Sequence, residues 1–459
     1  MKVYNNVLEL VGNTPLVRLN RLANAEMATV YAKLENLNPA GSVKERMAIH
    51  IVERAEREGL IKPGGTLVES TSGNTGLGLA LAAAVKGYRL IVTIPDKMSQ
   101  EKIDMLKGYG AEVIVTPTNV PHDAPESYVE VAKKIARETP NSYYTDQYNN
   151  PANPEVHYLT TGPEIWADTD GKIDVLVGGL GTGGTISGAA KYLKEQAAKV
   201  GRSVRVVCPD PEGSIYADAF YKREIREPKQ YKVEGIGHDW MVGTLDLNVI
   251  DEIRNISDRD SFLVARKLAR EEGIFSGGST GTAVCGALQV AREIGPGKIV
   301  VVIVCDSGDR YISKVYNDAW MKDLGFLDAS ERLGTIRELV NMKGRNVEFA
   351  NPEESIASVA QRMSDLGISQ MPIMENDRKS SLMIHEIDIL QGLVQNKCKS
   401  SDPALKVATY LQGKVGLDDS VQRLQEVFEQ QNVAIVVDRG SVVSIVSKID
   451  LVKFLTSRG

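Results

Sequence analysis

The chain has 459 residues, of which 42% are hydrophobic and 25% charged, a composition that excludes a fibrous or wholly disordered protein. Its formal net charge of −6 gives no electrostatic reason to expect a nucleic acid or a membrane surface as a partner. The longest strongly apolar run near the middle, 299–305, has seven residues, whereas about 20 are needed to cross a bilayer. No signal-peptide core follows Met1, so we expect a cytoplasmic protein. The four cysteines and five histidines are scattered without metal-ligand spacing, and we expect no bound metal.

Short apolar runs alternate with longer amphipathic patterns up to residue 327. The predicted strands lie at 30–34, 66–69, 89–94, 112–115, 175–179, 203–207 and 299–305. The predicted helices lie at 44–58, 75–86, 99–109, 128–138, 185–200 and 261–271. This alternation predicts an α/β fold with a mostly parallel sheet and helices on both faces. Ligands in such sheets bind outside the carboxyl ends of the strands.

Two segments beyond residue 330 resemble each other. Each begins with an acidic turn and an amphipathic helix and ends in a matching run, LMIHEIDIL at 382–390 and SIVSKIDLV at 444–452. Asp388 and Asp450 align, which gives a period of 450 − 388 = 62 residues and indicates an internal duplication. We therefore predict two domains, 1–327 and 328–459, the second with one repeat at about 335–395 and another at about 404–459.

The run NPAGSVKER, from Asn38 to Arg46, combines a turn with a predicted capping box in which Ser42 and Glu45 begin a helix. Lys44 then lies in the first helical turn, where the helix dipole disfavours its ammonium form. A lysine that loses its proton readily can form a Schiff base with an aldehyde. The alternative is an ordinary surface lysine at a helix start.

The run ESTSGNTGLG, from Glu69 to Gly78, joins a predicted strand to a predicted helix. Small hydroxyl residues and glycines at a helix start expose backbone N–H groups, which suits a carboxylate or a phosphate. Asn74 adds a side-chain amide. The alternative is a capped strand–helix turn without a ligand.

The run GGLGTGGT, at 178–185, follows another predicted strand, and its backbone N–H groups and two hydroxyls could wrap a phosphate. Its spacing also satisfies the dinucleotide fingerprint, with Asp210 as the nearest acidic residue for a ribose. An NAD-dependent dehydrogenase therefore stays an alternative.

The run CDSGDRY places Ser307 after the strand at 299–305, where a ligand would bind.

Together these motifs resemble the β-family (fold-type II) of pyridoxal-phosphate enzymes, and within it the cystathionine β-synthases. The resemblance lies in VGNTPL at 11–16, NPAGSVK at 38–44, STSGNTG at 70–76, GTGGT at 181–185, DPEGS at 210–214 and VEGIG at 233–237. The C-terminal repeats resemble a pair of CBS domains, a Bateman module. The resemblance implies two open, mostly parallel α/β subdomains followed by an α+β CBS-domain pair.

The resemblance also implies a role for each matching residue. Lys44 would hold the cofactor and later move the α-proton, Asn74 would bind the ring hydroxyl, and Ser307 would face the pyridine nitrogen. Cofactor phosphate would be bound by Gly181, Thr182, Gly183, Gly184 and Thr185. The substrate carboxylate would meet Thr71, Ser72, Thr75 and Gln147.

The implied reaction is β-replacement, in which L-serine or an activated serine condenses with L-homocysteine to give L-cystathionine, with hydrogen sulfide production from cysteine as a further activity. The alternative within the family is a cysteine synthase that uses O-acetylserine and sulfide. A third alternative is a nucleotide-sensing protein whose first domain is inert. A homodimer or higher homo-oligomer is expected from the family.

Two departures from the family pattern matter. The animal and fungal enzymes carry Tyr in a GIGYDF run, whereas this chain reads GIGHDW, so His238 is a candidate substrate-binding residue. The haem ligands of the animal enzyme have no counterpart ahead of Gly12, and we expect no haem.

In the C-terminal module, Ser447 and Asp450, with Asp388 in the first repeat, match the positions that bind a nucleoside. S-adenosylmethionine or an adenine nucleotide would be the ligand.

Overall fold

The computed structural model describes residues 3–457 except 119, 224, 226, 328–333, 345–346, 375–379, 381 and 439–440. The chain divides into two compact units, Met1–Phe326 and Leu327–Gly459. The charged stretch 328–332 beside the predicted domain boundary lies outside the described residues.

The first unit contains the alternating strands and helices that the sequence predicts. Its strands are β1 (Leu16–Arg18), β2 (Thr29–Leu34), β3 (Thr66–Ser70), β4 (Arg89–Pro95), β5 (Glu112–Thr116), β6 (Ser142–Tyr144), β7 (Val175–Val177), β8 (Arg205–Pro211), β9 (Glu252–Ile256) and β10 (Ile299–Val304). Its helices are α1 (Lys44–Arg57), α2 (Asn74–Lys86), α3 (Gln100–Gly108), α4 (Tyr128–Glu138), α5 (Ala152–Val156), α6 (Gly162–Asp168), α7 (Gly184–Lys199), α8 (Tyr216–Phe220), α9 (Asp258–Glu272), α10 (Gly278–Ile294) and α11 (Asp318–Asp323).

The larger sheet of the first unit has the order β1-β2-β10-β7-β8-β9, and all neighbours are parallel except β1 and β2. Alternate residues of the central strands enter opposite cores. Leu176, Val301 and Ile303 join the core that contains α7, whereas Val300 and Val302 join the core that contains α10. Burial on both faces explains why these strands read as continuous apolar runs.

The smaller sheet has the order β5-β4-β3-β6, and all of its strands are parallel. Leu67 on β3, Val92 on β4 and Leu77 and Ala80 on α2 share one core. The two sheets are the two open α/β subdomains that the sequence resemblance implied, so the predicted fold class is confirmed.

Helix α10 is the long element that the sequence pattern did not predict. Twelve of its 17 residues are buried, and its first two turns, Gly278–Val284, are buried on all sides. Two turns without an exposed face carry no amphipathic pattern, although Arg292 and Glu293 near the end of the helix are exposed. Strands β1, β6 and β9 were also not predicted.

The second unit contains two three-stranded sheets, with the orders β11-β12-β13 and β14-β15-β16. Its strands are β11 (Gln370–Pro372), β12 (Leu382–His385), β13 (Thr409–Tyr410), β14 (Lys414–Gly416), β15 (Val433–Asp438) and β16 (Ser441–Ser447). Its helices are α12 (Ile336–Lys343), α13 (Ile356–Leu366), α14 (Glu386–Val394), α15 (Gln422–Gln430) and α16 (Lys448–Thr456). Each sheet has its own apolar core, as a duplicated module requires.

Among the helices of the described residues, none is both long enough and apolar enough to cross a membrane.

Candidate active site

A cavity lies at the carboxyl ends of β7 and β10. Its wall brings together segments that are far apart in the sequence: Lys44, Asn74, Gly178, Gly179, Gly181, Thr182, Gly183, Thr185, Ile186, Gly235, Ile236, Ser279, Ile303 and Cys305. This is the edge of a parallel sheet at which ligands bind. The lysine, the asparagine and most of the glycine turn that the sequence singled out therefore share one site.

Lys44 is the first residue of α1, and its side chain reaches the cavity. The predicted capping box is only half correct. The Glu45 carboxylate accepts the backbone N–H groups of Ala40 (2.8 Å) and Ser42 (2.9 Å). The Ser42 hydroxyl, however, accepts from the Lys44 amide at 3.3 Å instead of capping the third helical residue. Burial raises the pKa of Glu45 to about 7.

The glycine turn approaches its neighbours so closely that side chains are excluded. A Cβ on Gly181 would overlap the carbonyl oxygen of Gly235, and a Cβ on Gly183 would come within 2.6 Å of Leu245. Gly183 also has φ +78°, which glycine adopts readily. Helix α7 begins at Gly184, so the turn presents backbone N–H groups and the positive end of a helix to the cavity.

The amide of Asn74 is held from both sides by residues of the other subdomain. Its Nδ2 donates to Asp306 Oδ2 at 2.7 Å, and its Oδ1 accepts from Arg310 at 2.7 Å. Asp306 is fully buried and also accepts from the Tyr311 hydroxyl at 2.6 Å. Arg310 is 1% exposed and donates to the carbonyl of Ala40 as well. This clamp fixes the orientation of the amide, leaving its second N–H free for a ligand.

The residues predicted to meet a substrate carboxylate lie around the start of α2. The Thr75 hydroxyl donates to Gln147 Oε1 at 2.6 Å, and Gln147 Nε2 donates to the Ser70 carbonyl at 2.8 Å. Thr71 accepts the amide N–H of Gly73 at 3.0 Å. Thr71, Thr75 and Gln147 are buried, whereas Ser72 is half-buried.

A carboxyl group lies beneath this polar cluster. Glu69 is fully buried, accepts from the Thr145 hydroxyl, and is contacted by the backbone and side-chain amides of Gln147 at 3.3 Å. Burial raises the pKa of Glu69 to about 8. Glu69 thus supports Gln147 from below as a largely protonated group at neutral pH.

The sequence prediction for Ser307 needs a correction. Its amide donates to the Gly41 carbonyl and it forms an isolated bridge with Ser276, so its segment packs against the 38–42 turn. Among the described residues, the serine in the cavity wall is Ser279, in the first turn of α10. Because the buried first turns of α10 carry no amphipathic pattern, this hydroxyl could not be predicted from the sequence.

His238 lies in an aromatic cluster beside the glycine turn. Its ring contacts Tyr148, Tyr216 and Trp240 at centroid distances of 5.2, 6.0 and 4.4 Å. The Tyr216 hydroxyl donates to the carbonyl of Gly181 at 2.9 Å, which connects this cluster to the turn. Burial lowers the pKa of His238 to about 3, so the ring is neutral. Its role toward a substrate stays a prediction.

The cavity fits pyridoxal phosphate better than a dinucleotide. A lysine, an oriented amide and a turn of close-packed glycines with two threonines are the groups that an aldehyde with a phosphate ester requires. The dinucleotide alternative needs Asp210 at a ribose. That carboxyl group is fully buried near the end of β8, where a ribose hydroxyl cannot reach it.

Comparison with known proteins decides between these readings. The family model described as "Pyridoxal-phosphate dependent enzyme" matches residues 7–306. The chain belongs to this family. The model described as "CBS domain" matches residues 336–395, within the second unit. The fold-type II resemblance and the cofactor that the sequence implied are thereby confirmed.

Individual relatives resemble either almost the whole chain or about two thirds of it. Cystathionine beta-synthase of Dictyostelium discoideum is 39% identical over 466 residues, covering 99% of this chain and 92% of that protein. Cysteine synthase of Staphylococcus aureus is 42% identical, but covers only 68% of this chain and 96% of that protein. A crystal structure of a hydrogen sulfide-producing enzyme from Fusobacterium nucleatum has a TM-score of 0.63 and 36% identity, covering 67% of this chain and all of that one.

In the second unit, the predicted nucleoside residues have different surroundings. Ser447 caps α16 in a capping box with Asp450, and Lys343 donates to the Asp450 carboxylate at 2.6 Å. Asp388 lies in the first turn of α14, and its Oδ2 atom is buried without a hydrogen-bond partner among the described residues. Asp450 therefore already has intramolecular partners, whereas Asp388 has an unused acceptor.

Proposed function

We propose that the protein is a cystathionine β-synthase that condenses L-serine, or an activated serine, with L-homocysteine in a pyridoxal-phosphate-dependent β-replacement. The observation that carries this is the cavity that combines Lys44, the clamped Asn74 and the glycine turn. The similarity to cystathionine beta-synthases along almost the whole chain, second unit included, favours this function over that of a cysteine synthase.

The residues around the cavity divide into two groups in this proposal. Asn74 binds the ring hydroxyl of the cofactor, and Ser279 takes the place at the ring nitrogen that the sequence analysis gave to Ser307. The phosphate is bound by the turn Gly181, Thr182, Gly183, Gly184 and Thr185. The substrate carboxylate binds at the start of α2, at Thr71, Ser72, Thr75 and Gln147.

Bound pyridoxal phosphate supplies an electron sink that stabilises negative charge at the α-carbon of the amino acid. Lys44 Nζ takes the α-proton, and the same nitrogen is the group that can pass a proton to the departing β-oxygen, since hydroxide is a poor leaving group. His238 is neutral and does not supply that proton as an imidazolium. The clamped Asn74 holds the cofactor in a fixed position, and the buried pair of Thr75 and Gln147 does so for the substrate carboxylate.

Two other activities are outcomes to be tested on the same site. The structural relative from Fusobacterium nucleatum is titled a hydrogen sulfide-producing enzyme, which supports release of sulfide from cysteine as a further activity. A cysteine synthase would use O-acetylserine and sulfide instead.

Steady-state rates with each donor, serine or O-acetylserine, and each acceptor, homocysteine or sulfide, separate these activities. We expect the formation of cystathionine from homocysteine to have the highest kcat/KM of the reactions tested. If cysteine from O-acetylserine and sulfide is formed more efficiently, the assignment is wrong and the protein is a cysteine synthase. A Lys44→Arg variant keeps the positive charge and should lose all four activities.

We also propose that the second unit is a Bateman module that regulates the first, with S-adenosylmethionine or an adenine nucleotide as ligand, and that the enzyme is a homodimer or a higher homo-oligomer. The duplicated cores and the unpartnered Asp388 oxygen support the first proposal. Calorimetry with S-adenosylmethionine and with AMP tests it. Absence of heat from both, together with unchanged activity, would reject regulation by these ligands.

A further inference from the structure

A helical segment packs directly behind the glycine turn, and the function proposed above does not use it. It consists of α5 and a single π-helical turn, His157–Thr161, which lie against the start of α7. A Cβ on Gly184 would overlap the side chain of Asn153, and one on Gly188 would overlap the carbonyl oxygen of Pro154. The glycines of α7 thus allow this segment to approach the turn.

Asn153 and His157 are the two side chains that reach the turn. They are four residues apart, so they lie on the same side of the helical segment. Asn153 is 1% exposed and His157 is fully buried. Their partners, Thr182 and Thr185, are the two threonines of the turn.

Asn153 fixes the direction of the hydrogen bond to Thr182. Its Nδ2 donates to the Gln147 carbonyl at 2.8 Å, an acceptor that identifies this atom as the amide nitrogen. The same Nδ2 lies 3.0 Å from Thr182 Oγ1, so the threonine oxygen must accept. The amide of Gly184 also donates to this oxygen, at 3.5 Å. The hydroxyl hydrogen of Thr182 is therefore free to point toward the cavity.

His157 can likewise donate a hydrogen bond to the hydroxyl oxygen of Thr185, but only in one of its two tautomers. Its Nε2 lies 3.2 Å from Thr185 Oγ1, and its Nδ1 lies 2.9 Å from Thr161 Oγ1. Burial, together with the positive charges of Arg46 and Lys44, lowers the pKa of His157 well below its ordinary value, so the ring carries a single N–H. If Nε2 carries it, Thr185 accepts and its own hydrogen is free. If Nδ1 carries it, Thr185 must donate to the ring.

We propose that Asn153 and His157 are positioning residues that donate to Thr182 and Thr185 and thereby direct both hydroxyl hydrogens at the phosphate of the cofactor. His157 is then the Nε2–H tautomer, and the Thr161 hydroxyl donates to Nδ1. Both threonines become donors to an anion, which is the direction that binding of a phosphate requires. This inference depends on the proposed role of the turn as the phosphate site.

The test compares binding of pyridoxal phosphate and of pyridoxal, which lacks the phosphate, to the apoenzyme. The quantity measured is the dissociation constant of pyridoxal divided by that of pyridoxal phosphate, so a larger ratio means a stronger preference for the phosphate. We expect His157→Leu to lower the wild-type ratio by about five- to tenfold, the effect of one neutral hydrogen bond, because the bond that is lost joins His157 to Thr185. His157→Gln keeps an N–H near the position of Nε2 and should stay within about twofold of the wild type.

Thr160→Val is the matched control, because its hydroxyl lies in the same π-helical turn and donates only to the Val156 carbonyl in the described contacts. It should leave the ratio unchanged. If His157→Leu weakens both ligands equally, or changes neither, the inference is wrong. If the wild-type protein itself does not prefer the phosphorylated ligand, it is the proposed phosphate site that fails.

Nitrogen-15 NMR of the histidine rings in the wild-type apoenzyme gives an independent answer. The proposal requires the Nε2–H tautomer for His157, and an Nδ1–H tautomer overturns it. This measurement decides the question even if His157→Leu does not fold.

Discussion

Asp210 is a buried carboxyl group whose environment makes stability depend on pH. It lies in β8 and is fully buried, close to the Ser214 hydroxyl and the backbone amide of Ala217. Burial disfavours the charged form more than the hydrogen bonds from Ser214 and Ala217 favour it, and so raises the pKa of this aspartate from 3.8 to about 7. We therefore predict that Asp210→Asn stabilises the protein at high pH but not at low pH.

The sign and the size follow from proton linkage. Below about pH 4 the carboxyl is protonated in both the folded and the unfolded chain, so Asp and Asn behave alike. Between pH 4 and 7 the folded chain retains the proton that the unfolded chain has lost, and the free energy of unfolding falls as pH rises. A shift of about 3 pKa units corresponds to about 4 kcal/mol, lost completely above pH 7.

Urea unfolding at pH 5 and pH 8, followed by tryptophan fluorescence, measures this effect. The three tryptophans of the chain, Trp166, Trp240 and Trp320, all lie in the first unit, so the signal reports the unit that contains Asp210. We expect the advantage of Asp210→Asn over the wild type to grow by about 2–3 kcal/mol between these pH values.

The matched control is Asp104→Asn, because Asp104 is exposed on α3. It should show no comparable dependence on pH. An Asp210→Asn variant whose stability relative to the wild type is the same at pH 5 and pH 8 would refute the reasoning, since a raised pKa in the folded state necessarily produces a difference.

Three further predictions concern the site and its support. The purified protein should absorb at about 410 nm because Lys44 forms a Schiff base with the cofactor, and Lys44→Ala should abolish this band. A variant that keeps the band would contradict the role of Lys44. Gly181→Ala should weaken binding of pyridoxal phosphate by at least about tenfold, measured by titration of the apoenzyme, because the added methyl group overlaps the carbonyl oxygen of Gly235. Lys102→Met should lower the free energy of unfolding by about 3 kcal/mol in urea titrations, because the buried Glu234 carboxylate loses a partner at 2.6 Å. Glu234→Gln in the same chain should recover part of that loss, and no recovery would exclude the buried charge as the cause.

The glycine turn and Lys44 could be identified from the sequence because their chemistry depends on neighbouring residues. A phosphate turn needs glycines and hydroxyls next to one another, and a helix start is visible in a short run. The parallel sheets were predictable for the same reason, since strands buried on both faces are continuous apolar runs.

The partners of Asn74 could not be predicted in this way. Asp306 and Arg310 are 232 and 236 positions away in the sequence, and only the packing of the two subdomains brings them to the amide. Glu69, Asn153 and His157 were overlooked because a buried polar residue has no distinctive sequence pattern. Its meaning depends on which group it faces.

The sequence by itself determined the family and the cofactor, and it predicted that Lys44 lies at the site, because all three depend on local runs that the chain carries intact. The tertiary structure alone decided which serine enters the cavity. Ser307 follows a predicted strand and Ser279 lies in the buried first turn of α10, and the choice between them depends on how α10 packs against β10. Local composition shows what a segment can do, but only packing decides what it faces.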